Sequence, residues 1–159
     1  MQESDIAAVL RVQSECYGIS MNESEQTLRS RLAVAPDSSW LAEDAHGVPA
    51  YLVAYRSMLG KVTALGGLFG IAAQVDCLYL HDLAVCQRAK GQGLGPWLVR
   101  HAWKMALAEG LQHSALVSVQ DTQSFWRKLG YADFDDLQPD EHERLTTYGS
   151  PCQYMARRL

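Results

Sequence analysis

The chain has 159 residues, 48% hydrophobic and 20% charged, with a net charge of −4. That is enough chain for one domain, residues 1–159, with a substantial core, and the scattered charges leave no clustered Lys/Arg face for nucleic acid. No apolar run reaches the ~20 residues that span a bilayer, so no membrane partner is expected.

Met1-Gln-Glu-Ser-Asp5 lacks the basic and apolar regions of a secretory signal. Ser4 and Asp5 are placed to cap a helix whose inner face is Ile6, Val9, Leu10, Gln13 and Tyr17. Asn22-x-x-Glu25 has the form of a capping box for a second, shorter helix to about Leu32, and Pro36-Asp-Ser-Ser39 breaks the chain. Trp40 to Glu43 reads as a short strand, Gly47 as a turn and Val48 to Met58 as the hairpin partner. Leu59 to Gln74 is apolar and glycine-rich, and long for a hairpin connection. Such a segment is either a working loop or a loose surface connection.

A strand with Leu78, Leu80, Leu83 and Val85 follows, then a helix with Leu94, Leu98, Val99, Ala102 and Met105 at helical spacing and a C-cap at Gly110. Ser114 to Val119 is the next strand, and a short helix runs from Asp121 or Thr122 through Trp126 to Leu129. Ala132 to Leu137 and Tyr148 to Arg157 read as the last strands, with Pro139 to Glu143 as a solvated loop between them. Cys16, Cys77, Cys86 and Cys152 show no C-x-x-C spacing, so a reduced, cytoplasmic setting is expected and a structural zinc is not.

The junction between the 78–85 strand and its helix is the most informative segment. Gly91, Gly93 and Gly95 leave a path without side chains, and a helix N-terminus adds unpaired N–H donors and about half a positive charge. That is a phosphate cradle. A dinucleotide fingerprint would need its third glycine at 96 or 98, where Pro96 and Leu98 stand, and a P-loop would need G-K-[ST] at the helix start. What remains resembles the acetyl-CoA motif of the GNAT family of N-acetyltransferases, L-x-V followed by [QR]-x-x-G-x-[GA]. Arg88-x-x-Gly91-x-Gly93 lies only three residues beyond Val85; Lys90-x-x-Gly93-x-Gly95 lies five beyond, the family distance, and is the frame we adopt. Within that family, Tyr79-Leu-His81-Asp-Leu83-Ala-Val85 and Gly93-Leu-Gly95-Pro96 are closest in pattern to the serotonin (arylalkylamine) N-acetyltransferases, which carry H-L-H-x-L-A-V and G-x-G-P.

The resemblance implies an α/β (α+β) GNAT fold: a central mixed, mostly antiparallel sheet of about six to seven strands, flanked by about four helices and splayed at the strand carrying 79–85. The family opens with a strand that has no counterpart before Ser4. It implies acetyl-CoA as cosubstrate, no metal, and direct attack by a primary amine, on a small molecule or a peptide, in a ternary complex. Leu83, Ala84 and Val85 would then offer main-chain groups to the pantetheine arm and thioester. Lys90, Gly91, Gln92, Gly93, Leu94, Gly95 and Pro96 would hold the pyrophosphate.

An alkylammonium with a pKa of ~10.4 is neutral about once in 2,500 molecules at pH 7, so a base is useful. His81 matches the family's base position, and an imidazole is largely neutral at pH 7. Tyr79 shares its strand face and could hold a water or line the amine pocket, although for Tyr79 alone plain packing is the better explanation. Asp82 falls on the opposite face, as a structural partner or, on a bulged strand, an alternative base. Ser124-Phe-Trp-Arg-Lys-Leu-Gly-Tyr131 resembles the family's F-Y-x-x-x-G-[FY], with Trp126 at the tyrosine that protonates the coenzyme sulfur. An indole N–H donates a hydrogen bond but is no practical acid, so Trp126 is expected to pack against the acyl arm or the substrate. Either the thiolate, with a thiol pKa of ~8.5, leaves unaided, or the protein binds acyl-CoA without turnover. Tyr131, Tyr148 and Tyr154 are the alternative donors.

Overall fold

A long hairpin frames the molecule. Gly47, at a φ of 100° that L side chains rarely adopt, turns β1 (Ser39–Asp44) into β2 (Gly47–Ser57). The computed structural model describes residues 1–18, 21–70 and 72–159. Among these, six strands form one sheet in the order β1-β2-β3-β4-β6-β5, with β3 at Cys77–Val85, β4 at His113–Ser118, β5 at Ala132–Asp133 and β6 at Gln153–Arg158. Only β3 and β4 pair in parallel. Five helices flank the sheet: α1 (Ile6–Cys16), α2 (Glu25–Val34), α3 (Leu94–Ala108), α4 (Gln123–Lys128) and α5 (Pro139–Thr146). None is long and apolar enough to cross a membrane.

Alternation along β2 divides the core. Tyr51, Val53 and Tyr55 pack with Ile6, Val9, Leu28 and Leu32 of α1 and α2, while Ala50, Leu52 and Ala54 pack with Leu98, Val99 and Ala102 of α3. Two features of β3 break the regular pattern. Opposite β2, Val53 pairs with Asp82 but Ala54 pairs with Leu80, so His81 is an extra residue, a β-bulge. Opposite β4, pairing runs only from Cys77–His113 to Leu80–Leu116. Beyond it β3 stays with β2 and β4 with β6. The sheet therefore splays immediately after Leu80.

The bulge corrects the strand-face reading. Asp82, expected opposite His81, lies on the same side, among Tyr17 and Tyr51, while Leu83 turns toward the α3 core.

Several local expectations change for identifiable reasons. Ser24, not Asn22, caps α2, its hydroxyl accepting from Thr27 N at 3.1 Å. Val12 takes the fully buried place on α1, and Leu10 is only partly buried. The strand expected over 132–137 is two residues long, and the one expected from Tyr148 begins at Gln153.

The supposed loop at 139–143 is α5, with Pro139 in its first turn, where a missing N–H costs nothing. Its Glu141 is fully buried, accepting from Lys61 Nζ and Val62 N at 2.7 Å each. That contact is one of a series fastening the glycine-rich segment. Gly60 N donates to Tyr154 Oη (3.0 Å), Leu65 N to Thr147 Oγ1 (2.9 Å), and Tyr148 Oη to the Thr63 carbonyl (2.7 Å). Phe69 stacks on Tyr55 at 4.1 Å. From Gly60 to Phe69 the segment is tied down, not loose.

Replacing Glu141 by Ala orphans the buried Val62 N–H, which should cost about 1–3 kcal/mol. Calorimetry should show the unfolding midpoint lowered by several degrees. An unchanged midpoint would mean that these tethers do not hold the segment.

Candidate active site

The strand splay opens into a cleft of ≈ 660 Å³ lined by Leu83, Ala84 and Val85 of β3, by Ala89, Lys90, Gly91, Gly93, Leu94, Gly95 and Pro96, and by Cys16, Tyr17, Gln120, Thr122 and Phe125. Gly91 and Gly93 have φ values of 80° and 81°, the left-handed region in which glycine is at ease. Gly93 is also the N-cap of α3 and offers no side chain to the helix end. Among the described residues, no acceptor takes up the N–H groups of Gly91, Gly93, Leu94 or Gly95. The cleft therefore ends at four donors unpaired among the described residues, at the positive end of a 15-residue helix.

Charged neighbours distinguish the two motif frames. Arg88 is turned to the opposite side, where its Nη2 lies 3.2 Å from Asp44 Oδ1, and it does not line the cleft; Lys90 does. Gln92 stands apart from the other loop residues. Its side-chain amide folds back to the Arg88 carbonyl at 3.1 Å. At the far wall, Gln120 and Asp121 both adopt left-handed backbone (φ 52° and 57°), a conformation costing ~1–2 kcal/mol per non-glycine residue. That turn sets Gln120, Thr122 and Phe125 on the cleft wall. No sequence signal marked it.

His81 lies where β3 leaves β4. Its side chain is 2% exposed, so the residue's intermediate exposure belongs to its main chain, which faces the gap. Its Nε2 sits 3.3 Å from Glu23 Oε1. Glu23 also accepts from Gly66 N (3.2 Å) and pairs with the buried Arg31 guanidinium, which in turn donates to the Gly67 carbonyl from Nε (3.0 Å) and Nη2 (2.6 Å). Burial alone would raise the Glu23 pKa, but the hydrogen bonds and positive charges of His81 and Arg31 outweigh it and bring it down to about 2. An ionised carboxylate only accepts, so in the neutral imidazole the proton is assigned to Nε2 and the lone pair to Nδ1. Nδ1 is buried and has no partner among the described residues. Glu23, Arg31 and Tyr17 were not singled out from the sequence. Glu23 sits in a polar run that reads as helix capping, and only folding brings it to His81, 58 positions away.

Two small cavities adjoin the cleft. One, of ≈ 120 Å³, occupies the splay between Leu80, His81 and Leu83 on one side and Leu116, Val117 and Trp126 on the other. The second, of ≈ 40 Å³, is walled by Glu23, His81, Asp82, Leu65, Met21 and Tyr148. Tyr79 lines neither. It is fully buried between Tyr55 and Tyr154, with ring centroids 5.4 and 6.3 Å away, so its place is in the core, not at an amine pocket. Trp126 reaches only the splay cavity and packs edge-on to Phe125 (4.8 Å) and Tyr131 (5.5 Å). The Tyr131 hydroxyl is held by Ser114 (2.7 Å) and Trp103 (3.0 Å), and that of Tyr154 by Gly60 N. Of the three alternative donors, only Tyr148 borders a cavity.

The two kinds of glycine in the loop should respond differently to substitution. A Cβ at Gly93 would meet nothing within 4 Å, yet the backbone is strained for L residues. A Cβ at Gly95 would make only an ordinary 3.5 Å contact with Phe125. Calorimetric titration with CoA should therefore show Gly93→Ala losing affinity about tenfold, matching ~1–2 kcal/mol of left-handed strain. Gly95→Ala should stay within about threefold of wild type. The reverse order would contradict the cradle.

A family model described as the acetyltransferase (GNAT) family matches residues 7–131. No curated protein matches the chain in sequence. Among solved structures, the GphF GNAT-like decarboxylase in complex with isobutyryl-CoA superposes with a TM-score of 0.77 at 16% identity, over 99% of this chain and 96% of that one. The ribosomal-protein-S18-alanine N-acetyltransferase from Escherichia coli gives 0.69 at 15% identity, over 99% and 90%. Arabidopsis thaliana Naa50 bound to the bisubstrate analogue CoA-Ac-MVNAL gives 0.69 at 12%, over 100% and 95%. With most of its length inside the family model and the sheet, the splay and the glycine cradle arranged as described, the chain belongs to the acetyltransferase (GNAT) family.

Proposed function

We propose that this protein moves the acetyl group of acetyl-CoA to a primary amine by direct attack in a ternary complex. One observation carries the reading. The cleft joins an anion cradle at its outer end to a splayed strand and a carboxylate-held imidazole at its inner end. The N–H groups of Gly91, Gly93, Leu94 and Gly95, with Lys90, would bind the pyrophosphate, and the main chain of Leu83 to Val85 would take the pantetheine arm. A main-chain N–H of the splayed strand would stabilise the oxyanion as the thioester carbonyl becomes tetrahedral.

The amine would enter from the side of Glu23, His81 and Tyr148. His81 Nδ1 would take its proton, and Glu23 would orient the ring and stabilise the imidazolium, as the carboxylate of a catalytic triad does. Aromatic walls (Tyr17 and Tyr148) and the motif likeness favour an arylalkylamine acceptor; a peptide amine, as in the bisubstrate analogue bound to Naa50, is the other class. The reduced, cytoplasmic setting read from the cysteines suits an enzyme drawing on acetyl-CoA. Trp126 in place of the family tyrosine supports a second reading, a module that binds acyl-CoA without transferring it.

Release of CoA thiol in the presence of acetyl-CoA and a panel of arylalkylamines, polyamines and peptides separates the two. Turnover with an amine, and a ~10²–10⁴-fold lower kcat for His81→Gln with coenzyme affinity kept, is the outcome expected for a general base. Tight coenzyme binding with no turnover of any amine favours the binding module.

A further inference from the structure

Acetyl transfer needs two proton movements, and His81 serves only the first, removal from the amine. The second delivers a proton to the departing sulfur. Trp126 cannot do this, Tyr131 and Tyr154 line neither the cleft nor its two adjoining cavities, and Tyr148 lines only the small one on the acceptor side. One more phenol lies on the path. Tyr17, just past α1, is the one residue among those described that lines the coenzyme cleft, the splay cavity and the small cavity beside His81. Its hydroxyl stands 2.6 Å from Asp82 Oδ1 and 3.1 Å from the carbonyl of Leu83, the strand residue at the splay. The other Asp82 oxygen accepts from Tyr51 at 2.6 Å, which fixes the carboxylate behind Tyr17. This arrangement exists because the bulge at His81 turns Asp82 to the α1 face.

We propose that Tyr17, held by Asp82, is the proton donor to the coenzyme thiolate, the role left open by Trp126. The inference rests on the acetyl-transfer reading. The amine lone pair forms the C–N bond at the thioester carbon, and the C–S bond breaks with its electron pair on sulfur. The Tyr17 hydroxyl, which donates to Asp82 Oδ1 at rest, turns from it and passes its proton to sulfur, and the phenolate regains a proton from solvent through the cleft. One proton leaves nitrogen for His81 and one arrives at sulfur, giving an amide and a free thiol. Burial and then the neighbouring Asp82 charge hold the Tyr17 phenol well above its ordinary pKa, so it enters the reaction protonated. A thiolate formed in the same buried gap is raised by the same loss of water, which narrows the mismatch between donor and acceptor.

The test compares Tyr17→Phe with wild type on acetyl-CoA and on acetyl-selenocoenzyme A, whose selenolate is a far better leaving group needing no proton. With acetyl-CoA, kcat should fall about 10²-fold, the low end for a lost general acid, while the Kd for CoA stays within about threefold. With the selenium ester the deficit should shrink to a few-fold. Asp82→Asn, which keeps the phenol but loosens it, should show the same sulfur-selective loss at smaller size and serves if the phenylalanine variant does not fold. Equal losses on both esters would overturn the donor role alone. A wild type that turns over neither ester with any amine would overturn the acetyl-transfer reading and, with it, this one.

Discussion

An extra residue on β3 and an early end to its pairing with β4 together shape the active site. Opposite Val53 and Ala54 the strand carries His81 as a bulge, and opposite β4 it pairs no further than Leu80. Without the bulge, strict alternation would send Asp82 to the α3 side, away from Tyr17 and Tyr51. Without the splay, the main chain of His81 to Val85 would be an ordinary ladder with nothing to offer a ligand. Leaving strand N–H and C=O groups unpaired in a partly buried gap is costly, and such sites persist where another partner satisfies them. Here the gap opens directly into the cleft that ends at the glycine cradle.

Glu23 is the second organising centre. Its one carboxylate meets His81, Arg31 and Gly66, and Arg31 reaches on to Gly67 and lies 5.0 Å from the Phe69 ring. His81 and the glycine-rich segment are thus held by the same buried ion pair. Breaking such a pair by removing one partner costs ~3–5 kcal/mol, because the other is left charged and unsolvated. The arrangement ties the orientation of an imidazole to the position of the segment beside it, whose other end is held by Glu141 and Thr147 of the α5 region. The proposed acid–base chemistry and the wall beside it are therefore parts of one network.

What could be read from the sequence was local. The glycine spacing, Pro96 and the helical repeat from Leu94 all lie within a short stretch, and their physics needs no partner strand, so the glycine turn and its helix were legible. The fold class followed from the family resemblance that this stretch carries. What could not be read depended on pairing across the chain. A bulge is a property of two strands, and nothing within Tyr79 to Val85 announces that β2 is one residue short opposite it. Glu23 looks like any capping carboxylate until α2 and β3 meet. The α5 helix was missed because Pro139 to Glu143 is polar, and its one buried residue is a charged glutamate. Tyr79 was misplaced for the opposite reason. Sharing a face with His81 put it near the site in sequence, but that face dives into the core one turn of the pleat earlier.

Central to all of this is that the cleft at the splay receives acyl-coenzyme A. Thermal unfolding in the presence of acetyl-CoA, CoA and ATP tests it most directly. A ligand bound to the native state at 100 times its dissociation constant adds about 2.7 kcal/mol, several degrees in the midpoint of a chain this size. A clear rise with acetyl-CoA and CoA, and little with ATP at the same concentration, is the result the geometry predicts. No rise at saturating acetyl-CoA, or an equal rise with ATP, would contradict it.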